Sequence, residues 1–264
     1  MPSVCTLPRI ARAVDCAVVG SSDALRILPM GREIDQHATI WRVNNAPTAG
    51  FEALAGSRTD LRLVNNVAVD VWADPAKLAK EAQKAEGAGR FQAHEFDPLE
   101  LCGGNTSCLL TDYEDSRKLV LAKARQAHPE ITLRPLGFKP KLKACYRGGT
   151  RLSTGFVTVL LALSSCSGVV HLYGFMPYCC KGGKEGWPAM NYKYFHNNKS
   201  QHICCSGYRE NMGFEFEEMR WYERLGRVVM HPTRGTYPKP RWQKQYRTSE
   251  KHSKTRVFGS DQKH

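Results

Sequence analysis

No run in the 264 residues approaches the ~20 apolar positions that a membrane-spanning helix needs. The longest apolar stretch, Phe156 to Leu163, is broken by Thr158 and suits a buried helix. The N-terminus carries Arg9 and Arg12 with no apolar segment behind them, so no signal peptide is legible. Zinc-knuckle spacing is missing too: the adjacent pairs Cys179-Cys180 and Cys204-Cys205 are not C-x2-C. No internal repeat or linker divides the body of the chain. Acidic residues are scarce: 38 Lys+Arg face 25 Asp+Glu, a net charge of +13 that points to an anionic partner. Nucleic acid, a membrane surface and a nucleotide-sugar all qualify on charge. Nucleic acid is set aside, because no recognised binding module or aromatic-basic surface pattern accompanies the charge.

Ten cysteines are many for a cytosolic enzyme. Two N-glycosylation sequons, Asn105-Thr106-Ser107 and Asn198-Lys199-Ser200, agree with a secretory setting, and the missing signal disagrees. From His231 onward nine Lys/Arg stand against Glu250 and Asp261, with Pro238, Pro240 and few aliphatics. That composition predicts a disordered basic tail over 232–264 behind one domain over 1–231.

Within 1–231, apolar runs alternate with helical patterns. Strands are expected at Cys16 to Gly20, Thr39 to Asn44, Leu61 to Asn65, Ile131 to Leu136, Val169 to Phe175 and Arg227 to Met230. Ala24 to Ile34 predicts a helix interrupted at Pro29. Asp74-Pro75 reads as an N-cap with proline in the first turn of a helix to Glu86. Gly87 to Leu101 reads as loop, Ser116 to Gln126 as helix, and Lys139 to Gly149 as a basic loop. Phe156, Val159, Leu160 and Leu163 fall on one helical face, and Phe214 to Leu225 predicts a last helix. The alternation argues an α/β fold, a mostly parallel sheet with helices on both faces.

In such sheets ligands sit in loops at the C-terminal ends of strands. Gly20-Ser21-Ser22, Asn44-Asn45-Ala46-Pro47 and Ser153-Thr154-Gly155 qualify. The last opens an apolar helix, where bare backbone N–H groups suit an anion or a carbonyl oxygen, and where Ser153 can equally serve as a cap.

The stretch from Cys16 to Asn65 resembles the large sialylmotif of eukaryotic sialyltransferases, through C-A-V-V-G, G-R-E-I-D-Q-H, R-V-N-N-A-P-T-A-G-F-E and G-S-R-T. Arg151 to Phe175 resembles the small sialylmotif, through S-T-G, A-L-S-S-C and V-H-L-Y-G-F, in the family's order. The resemblance implies a Rossmann-like glycosyltransferase fold that takes CMP-sialic acid as donor substrate with no metal or other cofactor. It implies inverting transfer to a hydroxyl of a terminal sugar, galactose by the wording of the large motif, on a glycoprotein or glycolipid. Gly20, Ser21 and Asn44 would face the nucleotide, and Ser153, Thr154 and Gly155 the cytidine end. Cys16 and Cys166 match the family's disulfide between the two motifs. The Golgi lumen is the implied compartment. Family members usually carry an N-terminal anchor and stem, and this chain starts about fifteen residues before the large motif. A fragment and a soluble, divergent member are both compatible with that start.

Two shorter motifs depart from the pattern. Lys193-Tyr194-Phe195-His196 stands where the family has a phrase near H-Y-Y-E. Lys193 and Tyr194 remain donor-binding candidates. The H-x4-E motif that carries the family's base matches Glu210 and Glu215, so its acid is present and its histidine is replaced. An acceptor hydroxyl needs a proton acceptor as the new bond forms. Glu210, His196 and Glu215 are the catalytic candidates, with His202 a further one. The alternative is a catalytically impaired relative that binds a nucleotide or glycan without transfer.

Overall fold

The computed structural model describes residues 14–80, 97–111, 117–136, 152–175, 193–195 and 210–231. The expected basic loop at 139–149, His196, His202, the Asn198 sequon and the tail at 232–264 lie outside these. Seven strands form one sheet: β1 (Cys16–Val19), β2 (Thr39–Val43), β3 (Leu61–Val64), β4 (Ser107–Leu110), β5 (Thr132–Pro135), β6 (Val170–Tyr173) and β7 (Val228–His231). Their order is β5-β4-β3-β2-β1-β6-β7, and every neighbouring pair is parallel. Parallel strands covered on both faces read as unbroken apolar runs, and β1 is buried at all four positions.

One face is covered by the helix Thr154–Ser165 and by the helix Glu210–Arg224, over Val18, Trp41, Leu63, Leu172 and Met230. The first helix was expected to bury one stripe. It is instead buried nearly all round, with Val157, Thr158, Leu161 and Ala162 enclosed as well. The buried Thr158 hydroxyl is satisfied by donating to the Thr154 carbonyl (2.8 Å). Full burial of a side chain such as Phe156 stabilises the fold by about 1.5–3 kcal/mol.

The opposite face carries short helices at Ala24–Ile27, Gly31–Ile34 and Glu52–Ala55, and further ones at Asn66–Trp72, Pro98–Cys102 and Lys118–Ala127. The break expected at Pro29 separates the first two. Asp74 caps the next helical turns, 75–80, accepting from the N–H groups of Ala76 and Lys77. Two expectations are corrected here. The loop reading of Gly87 to Leu101 ends in the Pro98–Cys102 helix, because Asp97 accepts from the Leu99 and Glu100 N–H groups and Pro98 presets the first turn. Residues 107–110, given no element from sequence, are the strand β4 between β3 and β5.

Cys16 and Cys166 are bonded, tying the start of β1 to the end of the Thr154–Ser165 helix, with Cα atoms 6.4 Å apart. A second bridge, Cys102–Cys108, spans the turn that holds the exposed sequon residue Asn105. The large motif also braces itself. The Asp35 carboxylate accepts from the Ser57 N–H and hydroxyl and from the Arg58 N–H, so G-R-E-I-D and G-S-R-T meet. Burial pushes that carboxyl up, but the N–H donors of Ser57 and Arg58 more than offset it and hold Asp35 below the usual carboxylate range.

Candidate functional site

The chain runs outward from β1 through β2, β3, β4 and β5, then returns to place β6 on the other side of β1. The strand order therefore reverses at β1, and the crevice beyond the C-terminal ends of β1 and β6 is where such sheets bind ligands. Gly20 follows β1 there, and Gly174 and Phe175 follow β6. The Gly20 N–H donates to the Tyr173 carbonyl (2.8 Å), and a Cβ on Gly20 would lie 2.5 Å from the Gly174 carbonyl oxygen. Gly174 itself turns through φ +66°, a conformation that favours glycine.

The Phe175 ring joins two motif segments. One edge lies 3.2 Å from a Cβ position on Gly20, another 3.4 Å from one on Gly155. The Gly20-Ser21 loop and the Ser153-Thr154-Gly155 helix start are thus neighbours. Phe175 was not singled out as a site residue from sequence, although it closes the small motif. These two glycines predict different outcomes. Gly20→Ala drives a methyl into backbone and should cost about 1–3 kcal/mol, read as a fall in the thermal midpoint. Gly155→Ala meets only ordinary contacts and should melt like the wild type.

Ser153 has two roles at once. Its Oγ accepts from the Phe156 N–H (3.1 Å), capping the helix. It also donates to Glu215 (2.5 Å), while the Ser153 N–H donates to the other Glu215 oxygen (2.6 Å). Glu215 is 4% exposed and comes from the last long helix. Both of its oxygens hold the donor-motif serine, a geometry of positioning rather than of proton transfer to a sugar. Glu210 opens the same helix five residues earlier, about 7.5 Å along its axis.

On the other side of β1, Asn44 ends β2 in the left-handed region at φ +51°, which asparagine tolerates better than most residues. Its side-chain oxygen accepts from the Asn65 N–H (3.1 Å) at the end of β3. Arg62, buried on β3, clamps the same turn: its guanidinium donates to the carbonyls of Asn44 (2.8 Å), Ala46 (2.9 Å) and Leu101 (2.8 Å). Burial, with the Arg42 charge beside it, pushes Arg62 down to about 9. Neither Arg62 nor Asn65 was among the residues expected at the site. A buried basic residue in a strand is a signal that could have marked the first.

Residues 193–195 cross over these loops. The Tyr194 N–H donates to the Ser21 carbonyl (3.0 Å), its carbonyl accepts from Arg26, and its hydroxyl donates to the Pro47 carbonyl. The ring is wholly buried against Phe51 and Phe195. Direct donor contact by this ring has no surface to act through; Tyr194 braces the two loops instead. Burial pushes its phenol up to about 12, keeping the hydroxyl protonated as a donor. Lys193 is half-buried, donates to Asn45 (3.3 Å) and lies 4.8 Å over the Phe195 ring. It sets a positive charge beside the Asn44-Asn45 turn.

An open parallel sheet whose small-residue loops and a capped helix start meet at the strand-order reversal defines a Rossmann-like α/β protein. A solved mammalian sialyltransferase shares the fold, with a TM-score of 0.51 at 20% identity over 85% of this chain and 70% of that one. A profile of glycosyltransferase family 29 (sialyltransferase) matches residues 6–221, and the chain belongs to that family. It is similar to the alpha-N-acetylgalactosaminide alpha-2,6-sialyltransferase 3 of Mus musculus, 29% identical over 198 residues, 73% of this chain and 61% of the relative. It is also similar to the CMP-N-acetylneuraminate-beta-galactosamide-alpha-2,3-sialyltransferase 1 of Pan troglodytes, 31% identical over 187 residues, 70% of this chain and 48% of the relative. The chain spans about three fifths of the length of the galactosaminide alpha-2,6 relatives it matches.

Proposed function

We propose that the chain moves sialic acid from CMP-sialic acid to a hydroxyl of a terminal sugar, with inversion and without a metal. The observation that carries this reading is the meeting of the Gly20-Ser21 loop with the Ser153–Gly155 helix start across Phe175. The helix of twelve residues starts there under its Ser153 cap, and its dipole favours an anion. In the transfer, the acceptor oxygen bonds to the anomeric carbon as the bond to the phosphate oxygen breaks, and CMP leaves. The Gly20-Ser21 loop and the Lys193 charge stabilise the leaving phosphate most as that bond breaks.

The acceptor proton needs a base, and Glu210 is the residue proposed for it, with His196 and His202 as the other candidates. Two disulfides support an oxidising compartment such as the Golgi lumen. Galactose is the acceptor proposed from the large motif. The relatives' names also include an N-acetylgalactosaminide, so the acceptor panel should hold both.

A second reading, donor binding without transfer, is favoured by one observation: Glu210 stands where the family's motif has histidine. Purified protein with CMP-sialic acid and the acceptor panel separates the two. Transfer that Glu210→Gln abolishes with CMP affinity intact is the expected result. CMP binding without transfer or donor hydrolysis selects the second reading, and absence of CMP binding overturns both.

A further inference from the structure

A polar cluster lies on the sheet face opposite the Thr154–Ser165 helix. Asp15 precedes β1, His37 precedes β2, His171 and Tyr173 lie on β6, His231 ends β7, and Glu33 comes from the Gly31–Ile34 helix. Asp15 and His37 therefore sit at the start of their strands, whereas the donor loops follow strand ends.

One set of tautomers satisfies these contacts together. Tyr173 donates its hydroxyl proton to Glu33 (2.8 Å), so its oxygen accepts from His37 Nε2 (2.8 Å). Glu33 can only accept, so His231 carries its proton on Nδ1, 3.3 Å from the carboxylate. His231 Nε2 is then bare and accepts from His171 Nδ1 (3.0 Å). Both relays end on Glu33. They leave His37 Nδ1 and His171 Nε2 without a relay proton, and His37 Nδ1 lies 2.6 Å from an Asp15 carboxylate oxygen.

That contact is an ion-paired hydrogen bond when the ring carries a second proton, and a divalent ion can take that proton's place. Asp15, His37 and His171 offer ligand atoms that all lie within 4.8 Å of one another. Imidazoles whose far nitrogens are fixed by a carboxylate-terminated relay are the usual arrangement of metal-binding histidines. The set of two nitrogens and one oxygen matches borderline divalent ions, Zn2+ foremost. The ring of His37 is nearly enclosed, while Asp15 is 43% exposed at its side chain and leaves an entry path.

We propose that Asp15, His37 and His171 form a binding site for a divalent transition-metal ion of the Zn2+ class, with Glu33, Tyr173 and His231 orienting the ligands. On binding, the Asp15–His37 pair opens to about 3.3 Å, the edge of a tetrahedron with Zn–N and Zn–O bonds near 2.0–2.1 Å. The ion ties the lead into β1 and the turn before β2 to β6.

The test loads the purified full chain with ZnCl2, removes free metal by gel filtration and measures bound zinc by mass spectrometry. Asp15→Asn and His171→Gln, checked for native circular dichroism, should each lose one equivalent relative to wild type. Glu33→Gln should keep the site and weaken it by about 10–100-fold, read by competition with a chelator. Co2+ in the same site should give d–d bands that vanish in His171→Gln, with no sulfur charge transfer lost, which separates it from cysteine ligation. No bound zinc, or zinc bound equally by wild type and both ligand variants, overturns the proposal and leaves a proton between Asp15 and His37.

Discussion

Glu215→Ala is expected to lower the unfolding free energy by about 2–4 kcal/mol, since it removes two charge-assisted bonds and strands the Ser153 N–H in a buried setting. CMP affinity should fall by roughly 10–100-fold as the helix start loosens, because each factor of ten corresponds to about 1.4 kcal/mol of lost preorganisation. Denaturant unfolding and calorimetry read the two effects separately. A proton-accepting Glu215 would instead leave CMP binding unchanged and remove the acidic limb from the kcat pH profile. Glu215→Gln should fall between, because an amide oxygen still accepts one bond while its NH2 cannot accept the other. A double-mutant cycle with Ser153→Ala should show coupling through the Oγ–carboxylate bond, since the backbone N–H bond survives that substitution. Additive losses would remove Glu215 from the positioning role.

Cys166→Ala is expected to cost about 5 kcal/mol, the chain-entropy value for a loop closed across 150 residues. That is a large part of the ~5–15 kcal/mol by which domains are stable, so the variant should unfold at far lower denaturant. Cys102→Ala, opening a loop of six residues, should cost only about 2 kcal/mol by the same relation. Wild-type protein unfolded under reductant should approach the double variant. Equal midpoints for Cys166→Ala and wild type under oxidising conditions would show that the long bridge contributes nothing in solution.

Six of the seven strands were legible, the inner ones because parallel strands buried on both faces leave plain apolar runs, as in Cys16 to Val19. The strand β4 was not, since Ser107-Cys-Leu-Leu is short and begins inside a sequon next to glycines. The Asn66–Trp72 helix was hidden for a different reason: Asn65 both ends β3 and caps the helix, accepting from the Val67 and Ala68 N–H groups. Ser153 was open between cap and site, and the structure gives it the cap together with a link to Glu215. That link joins positions 62 apart, which no local pattern carries. The bond from the Tyr194 hydroxyl to the Pro47 carbonyl was equally hidden, because it joins segments far apart in the chain. The histidines at 37, 171 and 231 are scattered for the same reason; sheet order alone assembles them.

The position of β1 between β2 and β6 sets a timetable on the ribosome. The five strands from β1 to β5 can associate once residue 135 has emerged, but one edge of β1 then stays bare until β6 follows. At ~5–20 residues per second that interval lasts roughly 2–8 s, long enough for an exposed strand edge to recruit a holding chaperone. Cys16 waits through the same interval as a thiolate source with no native partner. The Cys102–Cys108 bridge can form first, and doing so withdraws two competing thiols before Cys166 arrives.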